Sequence, residues 1–200
     1  MKKLILLTLL AGLSTNVYAS EKNFVSVGIG STKDKFDDED SINGYSFSAE
    51  YGKFIESNEK DISFAVTGEF SYYNAKKTFL YFDEKDEVKI PTLALNGYIL
   101  FTQNKFVPYV GFGLVASMFG KADVTQLSTG VEANMKSESF NLGYQFKLGG
   151  KYYVNNDYSV GLECKFTNID IDLDKLNGID YSAKIKNKIS TFQFKLSKEF

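Results

Sequence analysis

The feature that most constrains the fold of this chain is its last stretch, residues 191–200, in which polar and apolar side chains alternate. The apolar face carries Phe192, Phe194, Leu196 and the terminal Phe200. The opposite face carries Thr191, Gln193, Lys195, Ser197 and Glu199. Alternation at a period of two is typical of a strand with lipid on one side and a polar interior on the other. A soluble protein rarely ends on an exposed phenylalanine, so the tail predicts a strand that lies in a membrane.

The N-terminus predicts export from the cytoplasm. Two lysines near the start precede an apolar run from Leu4 to Leu13, and a polar stretch then leads to Ala19. This order is that of a cleavable secretory signal. The apolar run is too short to cross a bilayer core of ~30 Å, so a permanent anchor is not expected. We therefore expect residues 1–19 to be a signal peptide and residues 20–200 to form one domain.

The composition argues against several classes of function. All 23 basic residues are lysines, and the chain has no histidine. Arginine usually dominates phosphate and nucleic-acid recognition, and histidine is the commonest general base and metal ligand. We therefore expect no nucleic-acid partner, no cofactor, no bound metal and no enzymatic activity. The single cysteine, Cys164, cannot form an intramolecular disulfide.

Seven further segments alternate as the tail does. With the tail included, the predicted strands are Phe24–Ser31, Gly44–Phe54, Asp61–Tyr72, Ile90–Phe101, Pro108–Phe119, Phe140–Tyr153, Tyr158–Thr167 and Ile189–Phe200. Their lengths suit the ~9–11 residues that a tilted strand needs to cross a membrane. The sequence therefore predicts eight membrane-crossing strands.

The connections between these strands alternate in length. The short polar turns are Ile55–Lys60, Thr102–Lys105 and Val154–Asp157. The long loops are Thr32–Ser41, Tyr73–Lys89, Gly120–Ser139 and Asn168–Lys188. This layout predicts an all-β fold, an eight-stranded antiparallel up-and-down transmembrane β-barrel of the bacterial outer membrane, with both termini on the periplasmic side. The alternative is a soluble lipocalin-like barrel, which would bury the apolar face instead.

Parts of the chain resemble a known family. Residues 92–98 (Thr-Leu-Ala-Leu-Asn-Gly-Tyr) and 108–113 (Pro-Tyr-Val-Gly-Phe-Gly) resemble the central hairpin of small OmpA-like or porin-family outer-membrane proteins. The apolar residues of the tail resemble the signal that the barrel-assembly machinery reads, although Lys198 stands where the family usually has an apolar residue. The resemblance implies an eight-stranded barrel in contact with the lipids of a Gram-negative outer membrane. Members of the family serve as adhesins, antigens, structural tethers or narrow channels, so the resemblance implies no single activity.

The predicted inward faces carry a set of charged residues. An eight-stranded barrel is just wide enough for side chains to fill its interior. The set comprises Glu50, Glu69, Lys147, Lys151, Glu163, Lys165 and Lys195. Because unpaired buried charges are costly, we expect these residues to form a polar network that plugs the lumen. An ion gate is the alternative interpretation.

One loop segment resembles a calcium site only in part. Asp170, Asp172 and Asp174 match the start of a calcium-binding loop. Lys175 and Tyr181 stand where that loop requires glycine and glutamate, so we expect no calcium site. The intervening Ile169, Ile171 and Leu173 predict instead that the seventh strand continues above the membrane.

Two other loop segments differ in character. The acidic run 37–40 is interpreted as a solvated loop tip. The apolar run 78–82 is unusual for a loop, and it either folds onto the barrel rim or forms a contact surface for a partner.

The predicted function is that of a monomeric, non-enzymatic surface protein with an additional structural role in the envelope. Its long loops would bind a host or matrix ligand. The first alternative is a narrow porin-like channel for small ions or solutes. The second is a soluble periplasmic ligand-binding barrel.

Overall fold

The chain folds into one antiparallel sheet that closes on itself. The computed structural model describes residues 22–36, 41–55, 61–79, 84–102, 105–117, 120–126, 129 and 132–200. Its strands are β1 Asn23–Phe36, β2 Ile42–Ile55, β3 Ile62–Phe79, β4 Glu84–Phe101, β5 Phe106–Ser117, β6 Gly120–Gln126, β7 Glu132–Ser137, β8 Asn141–Tyr153, β9 Tyr158–Leu176 and β10 Ile179–Glu199. The predicted signal peptide lies outside the described residues.

Eight of the strands form a closed ring. The order is β10-β1-β2-β3-β4-β5-β8-β9, and β9 pairs with β10 to complete it. The ring confirms the prediction of an eight-stranded antiparallel barrel. The start of β1 and the last residue lie together, because Asn23 and Phe200 exchange backbone hydrogen bonds of 2.8 and 2.9 Å. We call this the terminal end; the short turns, such as the one between β8 and β9, lie here as well.

The outside of the ring carries a continuous apolar belt. Ile29 is 64% exposed and Phe112 is 57% exposed, and every strand of the ring contributes large apolar side chains to the same surface. The faces are those predicted from the sequence, since the alternate residues point inward and are mostly buried. We assign the membrane-spanning segments to residues 24–31, 45–54, 62–72, 91–101, 106–116, 142–153, 158–167 and 190–199. Among the described residues, no helix is long and apolar enough to cross a membrane.

The barrel continues well past the belt at the end opposite the termini, which we call the long-strand end. The predictions of long loops were wrong in extent here, because strands occupy most of these segments. β9 has 19 residues and β10 has 21, about twice what a crossing needs. Strands β6 and β7 lie within the predicted loop 120–139, and they pair with β4 and β9 respectively. Above the belt the ring is therefore completed by β6 and β7 in place of β5 and β8.

A two-residue turn joins β9 and β10. Leu176 pairs with Ile179, and the turn residues Asn177 and Gly178 have φ angles of 52° and 81°. Positive φ at both positions is the requirement of a type I′ hairpin turn, and Asn-Gly is the pair that meets it best. The continuation of the seventh predicted strand through Ile169, Ile171 and Leu173 is thereby confirmed.

Candidate functional site

The centre of the lumen is organised around Glu69 on β3. Its Oε1 accepts hydrogen bonds of 2.7 Å from Ser71 and 2.7 Å from Lys165. Its Oε2 accepts bonds of 3.0 Å from both Asn96 and Gln145, and another from Lys147. Lys165 lies 96 positions away in the chain, on the opposite side of the ring. Glu69 therefore ties four strands together across the barrel.

Glu50 on β2 forms the second junction. Its Oε1 accepts 2.6 Å hydrogen bonds from Thr67 and Tyr98, and its Oε2 accepts one of 2.6 Å from Lys195. Lys147 donates to the Tyr98 hydroxyl at 2.6 Å. The tyrosine thus relays one hydrogen-bonded chain from Lys147 to Glu50.

Among the three glutamates at the centre of the lumen, Glu163 on β9 is the least satisfied by hydrogen bonds. Its Oε2 accepts hydrogen bonds of 3.0 Å from Tyr109 and 3.2 Å from Lys195. Its Oε1 lies 3.9 Å from the Lys147 ammonium and has no hydrogen-bond partner among the described residues. Glu163 therefore accepts fewer hydrogen bonds than Glu50 or Glu69.

A separate ion pair lies near the terminal end. Lys151 donates a 3.0 Å hydrogen bond to Glu199, and the Tyr153 hydroxyl donates to the same carboxylate oxygen. The Lys151 ammonium also lies 4.8 Å from the centre of the Phe54 ring. Glu199 was not among the predicted network residues, although the alternation of the tail places it on the inward face.

All seven predicted lumen residues point into the barrel. Three lysines and three glutamates form the central set, and Lys151 pairs with Glu199 below it, so these charges balance. Glu163, Lys147 and Lys165 are fully buried, at 0% exposure. Removing one member of such a set would leave a buried charge without its partner, which typically costs ~3–5 kcal/mol. The arrangement therefore fixes the strands relative to one another.

Inward glycines make room for the two tyrosines of the network. A Cβ atom on Gly111 would lie 2.7 Å from the Tyr98 ring, and one on Gly149 would lie 2.5 Å from the Tyr109 ring. Each tyrosine lies against a glycine of a neighbouring strand. From the alternation we expect six inward glycines to give room for side chains from opposite walls of the barrel: Gly28, Gly30, Gly111, Gly113, Gly143 and Gly161. At Gly111, however, the side chain that fills the space comes from the adjacent strand.

Apolar side chains close the lumen on both sides of the charged layer. Toward the terminal end, the buried cluster is Phe24, Ala65, Tyr98, Leu100, Val107 and Tyr109. Toward the long-strand end, it is Tyr73, Val88, Ile90, Ile171, Leu173 and Ile189. A cavity of about 40 Å³ remains beside Glu50 and Lys195, which is room for roughly one or two waters. The interior is therefore a packed plug with three layers.

Asp34 is a buried carboxyl outside the membrane-spanning part of β1. Its side chain points into the barrel and is 1% exposed, and its Oδ1 has no hydrogen-bond partner among the described residues. Burial raises the pKa of Asp34 from 3.8 to about 7, although the nearby Asn187 amide and the Lys35 backbone oppose this shift. The carboxyl therefore releases its proton near neutral pH.

The outer face of the long-strand end carries paired charges. Glu87 lies 2.9 Å from Lys89 and 3.1 Å from Lys76, and Asp123 lies 2.8 Å from Lys121. The hydrogen bond from Lys89, with others from Lys76 and Asn74, lowers the pKa of Glu87 to about 2 against the opposing effect of burial. Glu87 thus remains charged at neutral pH.

The other predicted residues are placed as follows. The apolar residues of the tail, Phe192, Phe194, Leu196 and Phe200, are about half exposed on the belt. Their role as an assembly signal stays a prediction. Asp170, Asp172 and Asp174 alternate with inward residues along β9, and the described residues contain no group of acidic or sulfur ligands suited to a metal. The acidic run 37–40 lies outside the described residues, as does most of the apolar run 78–82.

Comparisons with known proteins agree with this architecture. The model of the family described as the outer membrane protein beta-barrel domain matches residues 5–200. The structure is similar to Neisserial surface protein A, with a TM-score of 0.57, 17% identity, and coverage of 90% of this chain and 100% of that one. It is also similar to a major outer membrane protein from Thermus thermophilus, with a TM-score of 0.52, 8% identity, and coverage of 90% and 100% respectively. No curated protein sequence matches the chain. Identities this low support the fold alone.

Proposed function

Because this chain belongs to the family of outer membrane protein beta-barrel domains, we propose that it is a non-enzymatic surface protein that binds partners through its long-strand end. The family implies the bacterial outer membrane as its location. A secondary contribution to envelope structure forms part of the same proposal. The resemblance to small OmpA-like or porin-family proteins, inferred from the central hairpin, is confirmed by the family match.

The observation that carries the proposal is the contrast between the lumen and the long-strand end. The lumen contains a layer of balanced charges between two apolar clusters. The cavity beside Glu50 has a volume of about 40 Å³. The long-strand end, in contrast, extends the barrel far beyond the belt through β3, β4, β9 and β10. We infer that a surface extending this far beyond the membrane serves contact with a partner outside it.

The proposal includes an orientation. Outer-membrane barrels have short turns on the periplasmic side and longer connections outside the cell. The terminal end has the short turns, so it faces the periplasm, and the long-strand end faces the medium. The expected partners are a host or matrix ligand at the long-strand end, the barrel-assembly machinery at the tail, and membrane lipids at the belt. We expect the barrel to act as a monomer.

Cysteine labelling tests the orientation. In a Cys164→Ala background, single cysteines replace Ser182 at the long-strand end or Asp157 at the terminal end, both exposed positions. On whole cells, a water-soluble maleimide should label the first and leave the second unlabelled. Labelling of Asp157→Cys alone would reverse the orientation.

A binding assay tests the surface function. Cells that display the wild-type barrel should adhere to host cells or matrix-coated plates above the background of cells without it. In a second variant, the dipeptide Asn-Gly replaces residues 118–140 and so links Ser117 to Asn141 without β6 and β7. Cells that display this variant should lose most of the adhesion. Equal surface amounts, checked by the heat-modifiable gel shift of folded barrels, make the comparison valid. Wild-type display with no adhesion to any surface would contradict the proposal.

A further inference from the structure

Lysine is the first charged residue beyond the belt on most strands of the long-strand end. Going outward from the membrane, the first outward-facing charges are Lys33 on β1, Lys76 on β3, Lys89 on β4, Lys121 on β6, Lys136 on β7 and Lys188 on β10. On β9 it is Asp170. Positive charge is therefore concentrated where the belt ends, at the height of lipid headgroups.

Three of these lysines stand in one row across neighbouring strands. Lys89 pairs with Lys121, and Lys121 pairs with Lys136. Residues directly opposite each other in a sheet have Cβ atoms ~5 Å apart, and like charges in this arrangement repel. We call these three residues the lysine row. An anion bound among them would turn that repulsion into attraction.

On β4 and β6 the acidic neighbours of the lysine row lie on its far side, whereas on the chain of β7 the exposed Glu138 lies on its membrane side and pairs with Lys175. Glu87 and Asp123 form the next outward row, paired with each other across β4 and β6. Toward the membrane, the next outward residues on β4 are Pro91 and Leu93, which are uncharged. With Lys76 and Lys175 included, five lysines face the four carboxylates of Glu87, Asp123, Glu138 and Asp174, so the patch has a net charge of one positive unit. On β4 the positive side of the patch therefore faces the membrane surface.

We propose that the lysine row binds the phosphate of a membrane lipid headgroup. A lysine ammonium has three donors on a flexible stem and binds phosphate as a point charge, and basic residues at a membrane surface are attracted to anionic lipids. This lipid would lie in the outer leaflet of the membrane, an assignment that rests on the proposed orientation. The binding itself does not, because the row lies at the edge of the belt in either orientation.

The test compares a phosphorylated lipid with its dephosphorylated form. The folded full-length mature barrel in detergent micelles is titrated with bisphosphorylated lipid A, and bound lipid is counted by native mass spectrometry. Dephosphorylated lipid A with the same acyl chains forms the parallel titration. Wild-type protein should bind the phosphorylated form at least ~10-fold more tightly, as expected from several lysines each contributing near the surface.

Two variants assign the binding to the row. Lys89→Gln with Lys121→Gln and Lys136→Gln should lose most of this preference. The matched control, Lys53→Gln with Lys105→Gln and Lys198→Gln, changes the net charge equally at three exposed lysines of the terminal end and should keep the preference within ~2-fold. Should the triple variant fail to give the gel shift of a folded barrel, the single change Lys121→Gln replaces it, with a loss of ~5-fold.

Three outcomes would overturn the proposal. Equal losses in row and control variants would mean unspecific attraction by net charge. Equal binding of both lipid forms would mean that the acyl chains alone are recognised. Binding of inorganic phosphate with the same affinity would mean that the site takes a free anion. A failure of the adhesion or labelling experiments leaves these titrations unaffected, so the two proposals fail separately.

Discussion

At the residue scale, the buried glutamates differ in how they are satisfied. Glu69 accepts five hydrogen bonds from five residues, and four of these residues lie on other strands. Glu163 accepts two, both at one oxygen. Both are buried, at 3% and 0% exposure, so exposure does not distinguish them. The loss of stability when each glutamate is replaced by glutamine should therefore depend on how many hydrogen-bond donors lose their acceptor.

The first prediction compares the two glutamates. Glu69→Gln should lower the free energy of unfolding by ~3–5 kcal/mol, because it leaves Lys147 and Lys165 incompletely paired. Glu163→Gln should cost clearly less. Urea titrations of the folded barrel in detergent, followed by the gel shift, would measure both, with the exposed Glu132→Gln as control. A larger loss for Glu163→Gln would contradict the arrangement described here.

The second prediction concerns Asp34 and pH. The folded pKa, about 7, lies above the reference value of 3.8, so between these values the folded chain holds a proton that the unfolded chain has released. Stability should therefore fall as pH rises from 4 to 7 and then level off, by up to ~4 kcal/mol. Asp34→Asn should remove this dependence, being more stable than wild type at pH 8 and similar to it at pH 4.

Urea midpoints at pH 4, 6 and 8 check this prediction. The exposed Asp157→Asn serves as control, and its difference from wild type should not vary with pH. A constant difference between Asp34→Asn and wild type over the whole range would show that the carboxyl is not the group that titrates.

At the element scale, the long-strand end depends on strands that were expected to be loops. The hairpin of β6 and β7 completes the ring beyond the belt. Met135 on β7 packs against the apolar cluster that lies toward the long-strand end. Removal of residues 125–133 would thus delete strand pairs such as Val124 with Ala133, contrary to the expectation that this stretch is an unpaired loop.

The third prediction uses the hairpin-deleted variant in which Asn-Gly joins Ser117 to Asn141, residues that are already paired across β5 and β8. The membrane-spanning ring should still fold, because all its strand pairs remain. The β4 edge loses its partner β6, so trypsin should cut the long-strand end roughly tenfold faster. Cleavage near Lys105, at the terminal end, should not change. A variant that fails to fold would mean that the hairpin is required for closure of the ring.

At the scale of the whole molecule, the packed interior bears on the channel alternative. The charged layer and the two apolar clusters lie one above the other across the ring in the described part of the chain. Water and ions would need these layers to separate. The eight-stranded ring is also at the size that side chains can fill.

The fourth prediction follows from this packing. Wild-type protein in planar bilayers should show no steady single-channel current, in contrast to a larger porin measured in the same bilayers. Steady currents whose ion preference changes with Lys147→Glu would favour the channel over the surface function. The fold assignment would not be affected by that result.

The sequence by itself determined the class of fold and the direction of nearly every side chain in the membrane. A strand has a period of two, so alternation alone separated the lipid-facing residues, such as Phe194, from inward ones such as Lys195. The inward charges and the eight crossings followed from the same local rule. The Asn-Gly pair at 177–178 is an equally strong local signal for the β9–β10 hairpin. The alternating positions around it carry charged as well as apolar side chains, which makes the strand pattern there harder to recognise.

The tertiary structure alone decided which inward residues meet. Pairing of Glu69 with Lys165, or of Lys151 with Glu199, depends on register and on closure of the ring, which bring residues from distant strands together. The lysine row likewise needs β6 to pair with β4 and β7 to pair with β6, and no local pattern specifies this. Alternation is a property of each strand, whereas partners across a barrel are a property of the closed sheet.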